Sequence, residues 1–227
     1  MRAIFKKELK SYFLSPIGYV VIGIFLLCFS VFFYSGILQV GTVDLGYLYY
    51  APALYGLMFI APILTMRMFA EERKTGTEQL LLTSPVSTFK IVMAKLLAGL
   101  FVIIVTLIIS TMYWAIVSYF GNVNIGATLV AILGFLLISI AALSIGMFAS
   151  SITENQIIAG IITMSFLIIS LFAGNINTIF SKFTLIDFYY PFALGIISVE
   201  SGISLLLFSF VFISLTIIVL QRRKLVK

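Results

Sequence analysis

Leu96-Leu-Ala-Gly-Leu-Phe-Val-Ile-Ile-Val-Thr-Leu-Ile-Ile-Ser-Thr-Met-Tyr-Trp-Ala-Ile-Val-Ser-Tyr-Phe120 contains no charged side chain. As a helix rising about 1.5 Å per residue it reaches roughly 37 Å, more than the ~30 Å hydrocarbon core of a bilayer. Working outward, five more runs have the same character: residues 17–38, 51–66, 126–149, 157–174 and 203–220. The expected fold is an all-α integral membrane protein with six transmembrane helices in one domain spanning residues 1–227. The second run holds Pro52 and Pro62. Neighbouring helices can repair the freed backbone there, and Pro62 is expected to kink the span.

Composition agrees. The chain has 227 residues, 62% hydrophobic and 10% charged, where soluble chains carry about 25% charged. The mean hydropathy is +1.22. The net charge of +6 sits in short clusters beside the apolar runs, so it reads as membrane orientation, and no segment remains for nucleic-acid binding. Cys28 is the single cysteine, which rules out an intrachain disulfide. The absence of histidine removes His-based catalysis, HExxH zinc sites and haem ligation through His. The first apolar run lacks a convincing cleavage site and reads as a retained span.

Of the 14 Lys and Arg, only Lys182 lies outside three places: residues 2–10, residues 67–95 and residues 222–227. Six spans put those three places on one side, and the positive-inside bias makes that side cytoplasmic, with both termini there. Residues 1–16 form an amphipathic interfacial helix with Met1, Phe5, Leu9, Tyr12 and Phe13 on one face and Lys6, Lys7 and Lys10 opposite. Ile4 falls off the apolar face, and Pro16 ends the helix. On the outer side, residues 121–125 make a tight turn and residues 39–50 carry Asp44. Residues 175–202 contain the aromatic run Phe188-Tyr-Tyr-Pro-Phe192. This run reads equally as a partly re-entrant segment or as an aromatic belt.

The expected spans contain no Asp, Glu, Lys, Arg or His. Ion-coupled carriers place such groups in the membrane, so ion coupling is disfavoured, as is intramembrane proteolysis. The sequence has no G-x-x-x-x-G-K-[ST] loop. Energy for uphill transport would have to enter through a partner. Ala142, Gly146 and Ser150 form a small-residue ridge suited to close helix packing.

The connection 67–95 includes Glu71-Glu-Arg-Lys-Thr-Gly-Thr-Glu-Gln-Leu-Leu-Leu-Thr-Ser-Pro-Val-Ser87. The second span is expected to continue as helix through Glu71, Glu72 and Arg73, and Gly76 allows a sharp turn. Thr75 and Glu78 fit a capping box for a short helix carrying Leu80, Leu81 and Leu82. Pro85 ends it, and Ser87 can cap the third span. The leucines need cover. The acidic residues beside them argue against the anionic leaflet and for a protein partner.

This connection, followed by Ile91 and Lys95, resembles the ABC-2 type permease family, most nearly its gliding-motility or nitrous-oxide-cluster permeases. Ser150-Ser-Ile-Thr-Glu-Asn-Gln156 is similar to that family's loop between spans four and five, and Leu220-Gln-Arg-Arg223 to its ending. The resemblance implies a type V exporter-like fold. The main ATPase-coupling helix would be 76–83, with Glu71, Glu72, Arg73, Thr75, Gly76, Thr77, Glu78, Leu80, Leu81, Leu82 and Pro85 as coupling residues and Thr153, Glu154 and Asn155 as a second contact. It further implies two copies of a separate ABC ATPase that binds the ATP and Mg, and a second permease chain, homo- or heteromeric. No cofactor would be bound by this non-catalytic chain, which would sit in a bacterial inner membrane. Spans two and five would line the path, with Tyr55, Thr65, Thr163, Ser165, Ser170 and Asn175 as candidates. A membrane scaffold and a stand-alone carrier or channel are the alternatives.

Overall fold

The computed structural model describes residues 1–40, 45–121, 123–172 and 184–225. Among these the chain is helical and contains no strand. Helix α1 (Arg2–Leu14) stops at Ser15, whose backbone is extended, and Pro16 occupies the first turn of α2 (Pro16–Phe33). Proline is favoured there because its missing N–H would have had no helical partner. A π-helical turn (Tyr34–Leu38) closes α2. Then come α3 (Leu45–Ala51), a second π-helical turn (Pro52–Gly56), α4 (Leu57–Thr65), α5 (Ala70–Lys74) and α6 (Glu78–Thr83). The remaining helices are α7 (Thr88–Phe120), α8 (Ile125–Ile152), α9 (Gln156–Phe172), α10 (Leu185–Ala193) and α11 (Val199–Leu225).

Among the described residues five stretches are long and apolar enough to cross a membrane: Pro16–Leu38, Leu48–Lys74, Thr88–Tyr119, Ile125–Ile152 and Val199–Lys224. They overlap five of the six expected spans. At the place of the remaining one, Gln156–Ser170 is apolar but shorter than a full crossing, and the end of that expected span lies outside the described residues.

Helix α8 is the centre of the bundle, packing against α3, α4, α7, α9, α10 and α11. Its small residues explain why. A Cβ at Gly146 would fall on Thr65 Oγ1 and 2.9 Å from Thr163 Cγ2, so α4 and α9 both close onto this one position. Ala142 and Ser150, one turn to either side, are buried as well. The small-residue ridge is therefore packed within the chain.

The aromatic run at residues 188–192 is neither a plain belt nor a loop. It forms α10, in which Tyr189 and Phe192 are buried and press on Gly134 of α8, with Phe192 Cγ 2.6 Å from where a Cβ would sit. Tyr190, by contrast, remains exposed. Helix α1 lies along α7, with Phe5 and Phe13 both edge-on to Phe101. Its inward face differs from the expected one: Ile4 packs against the core, Met1 is exposed, and Glu8 is buried beside Tyr12. The wheel places Glu8 with Tyr12, four residues on, and a buried partner for its charge makes that placement possible.

Candidate functional site

The second span does not continue straight into α5. The helix is interrupted at residues 66–69, one turn past Pro62, and the loose backbone groups are taken up by other helices. Ser150 Oγ on α8 accepts from the N–H of both Phe69 and Ala70 at 3.1 Å, and donates to the Met66 carbonyl at 3.3 Å. Lys95 Nζ on α7 donates to the Met68 carbonyl at 2.6 Å. The Tyr12 hydroxyl on α1 donates to the Leu64 carbonyl at 2.9 Å. Burial pushes the Tyr12 phenol well above its ordinary pKa, so it stays a donor. A buried break in a helix persists only with such substitutes, since orphaned backbone groups are costly.

Lys95 is 1% exposed. Besides Met68 it contacts Glu8 Oε1 and Glu72 Oε2, each at 2.9 Å, and lies 5.1 Å from the centre of the Phe69 ring. Lys7 Nζ reaches Glu72 Oε1 at 2.6 Å. Two cations and two carboxylates therefore join α1, α5 and α7. A cavity of about 260 Å³ lies against this cluster, reaching Tyr12 and Arg67. Burial alone would lower the Lys7 pKa, but its hydrogen bond to Glu72 and the charges of Glu72 and Glu8 outweigh that and raise it.

A second cluster stands beside the first. Arg73 Nε contacts Glu78 Oε2 at 3.2 Å, and Arg73 Nη2 donates to the Ser151 carbonyl at 2.5 Å. Arg223 near the end of α11 contacts Glu78 Oε1 and the Ile152 carbonyl, both at 3.4 Å. These contacts gather α1, the 67–95 connection, the α8–α9 turn and the end of α11 at one end of the molecule.

The expected capping box is absent. Thr77, not Thr75, stands at the N-cap of α6, without a side-chain cap. The Thr75 hydroxyl turns back to the Glu71 carbonyl at 2.9 Å, and the Thr77 hydroxyl to the Glu72 carbonyl at 3.3 Å, so both close the end of α5. Glu78 is committed to its two arginines instead. Gly76 does make the turn, at φ +74°, a conformation that favours glycine. Ser87 occupies the N-cap position of α7 but its hydroxyl makes no cap. Glu71 forms a two-pronged pair with Arg67 at 2.6 and 2.7 Å. Leu80 is 75% exposed, while Leu81 packs against the core. Pro85 follows α6 in irregular backbone.

In the α8–α9 turn Glu154 is exposed, Thr153 donates to the Asn155 carbonyl, and the Asn155 side chain accepts from the Ile157 N–H. Of the path candidates, Thr65 and Thr163 are fully buried and donate to carbonyls of their own helices at 2.7 Å. Ser170 is buried and accepts from the Leu185 N–H at 3.4 Å. Tyr55 and Ser165 are exposed. Asn175 lies outside the described residues.

Glu8, Lys95 and Arg223 escaped the sequence reading as site residues. Lys95 and Arg223 counted toward orientation and toward the family resemblance, with no contact assigned to either. The available signals were an acid on the inward face of α1, and a lysine one residue before an apolar run in a helix that starts earlier.

A multi-pass apolar bundle with a polar, ion-paired end is the architecture of an integral membrane protein. The family described as ABC-2 family transporter protein matches residues 2–206, and the chain belongs to it. It is thus the membrane permease component of an ABC transporter. Comparison with curated proteins found no match.

Proposed function

We propose that this chain is the permease subunit of an ATP-driven exporter, coupling hydrolysis by a separate ATPase to movement of an amphipathic cargo. The carrying observation is Leu80, a 75% exposed leucine on α6, whose helix is anchored at Glu78 by Arg73 and Arg223. An exposed leucine on a firmly held helix is suited to a protein partner's groove. In this reading the polar end is cytoplasmic, and the membrane is the inner membrane of a bacterium. Two ATPase copies dock on α6, with the turn around Thr153, Glu154 and Asn155 as the smaller contact. A second permease chain completes the path, and Tyr55 and Ser165 remain lining candidates because they are open at the surface.

Motion transmitted from α6 has a stiff route inward. Arg73 ties it to α8, and the adjoining α5 carries Glu72 into the Lys95 cluster on α7 and α1. The test is copurification of the tagged chain with a candidate Walker-motif ATPase, beside a Leu80→Asp variant. Capture by the wild type and its loss in a normally inserted variant is expected. Equal capture by both would move the docking site, and no capture by either would overturn the transporter reading.

A further inference from the structure

At the end of the bundle away from Lys95, α3, α7 and α8 border a cavity of about 290 Å³. Trp114 on its wall stands roughly 28 Å along α7 from Lys95. Most of the wall is apolar, including Ile125, Leu129 and Ile132. The hydroxyls of Thr111 and Thr128 give their protons to the Ile108 and Asn124 carbonyls, at 2.6 and 3.0 Å. Two donors are left. Trp114 Nε1 and the Tyr49 hydroxyl are buried and make no hydrogen bond among the described residues. Ser110 lies beside the Tyr49 hydroxyl but gives its own proton to the Leu107 carbonyl at 2.8 Å. Tyr49 itself is 0% exposed.

The chemistry of an occupant follows from those two groups. An indole N–H can only donate, and the Tyr49 hydroxyl has its own proton to place, so the occupant must bring acceptors. Among the described residues no charged side chain lines the cavity, which leaves an anion uncompensated and favours neutral oxygens. The volume would hold about ten waters, but the largely apolar wall gives them few partners. Ile125 and Leu129 are 57% and 61% exposed, so the cavity edge belongs to the apolar surface that meets lipid.

We propose that this cavity is a binding site for a diacyl glycerolipid of the surrounding leaflet, its ester carbonyls accepting from Trp114 Nε1 and the Tyr49 hydroxyl.

Trp114 is the single tryptophan of the chain, which makes it a native reporter. The full chain is reconstituted with acyl-brominated diester phosphatidylcholine, which quenches indole fluorescence. Unbrominated diester or diether phosphatidylcholine then competes. The two competitors share a headgroup and differ in the ester carbonyls. Diester lipid should relieve quenching about fivefold more effectively, the worth of roughly one hydrogen bond. Tyr49→Phe should cut that preference at least twofold while leaving chromatographic elution unchanged. Equal competition by the two lipids in the wild type would overturn the proposal. So would an unquenched Trp114, the result if water or another copy of the chain fills the cavity, or a preference that Tyr49→Phe leaves intact.

Discussion

Lys95 places its ammonium 2.6 Å from the Met68 carbonyl, so a charge carried by the third long apolar helix stabilises a break in the second. The same nitrogen is 2.9 Å from carboxylate oxygens of Glu8 and Glu72. One side chain therefore satisfies an orphaned carbonyl and compensates two acids that burial would otherwise penalise.

Lys95→Met should destabilise the chain strongly, because it leaves Glu8 and Glu72 buried with only Lys7 to compensate them. Breaking a buried pair from one side costs about 3–5 kcal/mol. Lys95→Met combined with Glu72→Met should cost less than the sum of the single changes, since it removes both charges together. Thermal midpoints of the detergent-solubilised chain, followed by size-exclusion chromatography, give the cycle. Additive losses would show that the two residues do not act as a pair.

Ser150→Ala should loosen the same break from the other side. It removes the acceptor of the Phe69 and Ala70 N–H groups, and a buried unsatisfied group costs about 1–3 kcal/mol. Amide hydrogen exchange within residues 66–74 should quicken. Ser144→Ala is the control, because Ser144 donates only to the Ala141 carbonyl of its own helix. Equal exchange in both variants would remove Ser150 from the account.

Five of the six expected spans were legible because lipid demands long runs without charge, and that demand is local to each run. The break at 66–69 was not legible, because Ser150 and Lys95 hold it open across sequence separations of 81 and 27 residues. The capping box failed for a related reason. Thr75 and Glu78 have the right spacing, but Arg73 and Arg223 claim the carboxylate, and the end of α5 claims the hydroxyl. Helix α10 combines aromatic residues and Pro191 in a run that suits either an interface or a packed helix, and only Gly134 on α8 decides between them. The 67–95 connection stood out by its charges and leucines. Which leucine faces outward depended on where α6 begins, and that moved when Thr77 took the cap position.

Gly146→Ala should force α4 or α9 away from α8. The added methyl meets Thr65 Oγ1 and lies 2.8 Å from Thr65 Cβ, atoms of a short, buried side chain with little room to move. Overpacking of this kind costs about 1–3 kcal/mol. Thr65→Ala removes the clashing hydroxyl, so the double variant should regain thermal stability relative to Gly146→Ala alone. A double variant no more stable than Gly146→Ala would assign the strain to the atoms that remain, Thr65 Cβ at 2.8 Å and Thr163 Cγ2 at 2.9 Å.

Lys7 should react with amine acylating reagents more slowly than the exposed Lys6. The hydrogen bond and charge of Glu72, with the charge of Glu8, outweigh burial and raise the Lys7 pKa above the ordinary lysine value. Acylation requires the neutral amine, which a raised pKa makes scarcer at any pH below it. The sign for stability follows. A raised folded-state pKa means that the Lys7–Glu72 contact contributes fully below the ordinary lysine pKa of 10.5 and is lost as pH rises through the higher folded value. Glu72→Gln removes the charge that holds the proton, so Lys7 labelling in that variant should quicken toward the rate of Lys6. Site-resolved mass spectrometry after timed labelling at pH 8 to 9.5 reads both rates, and an unchanged Lys7 rate in Glu72→Gln would show that Glu72 does not hold the Lys7 proton.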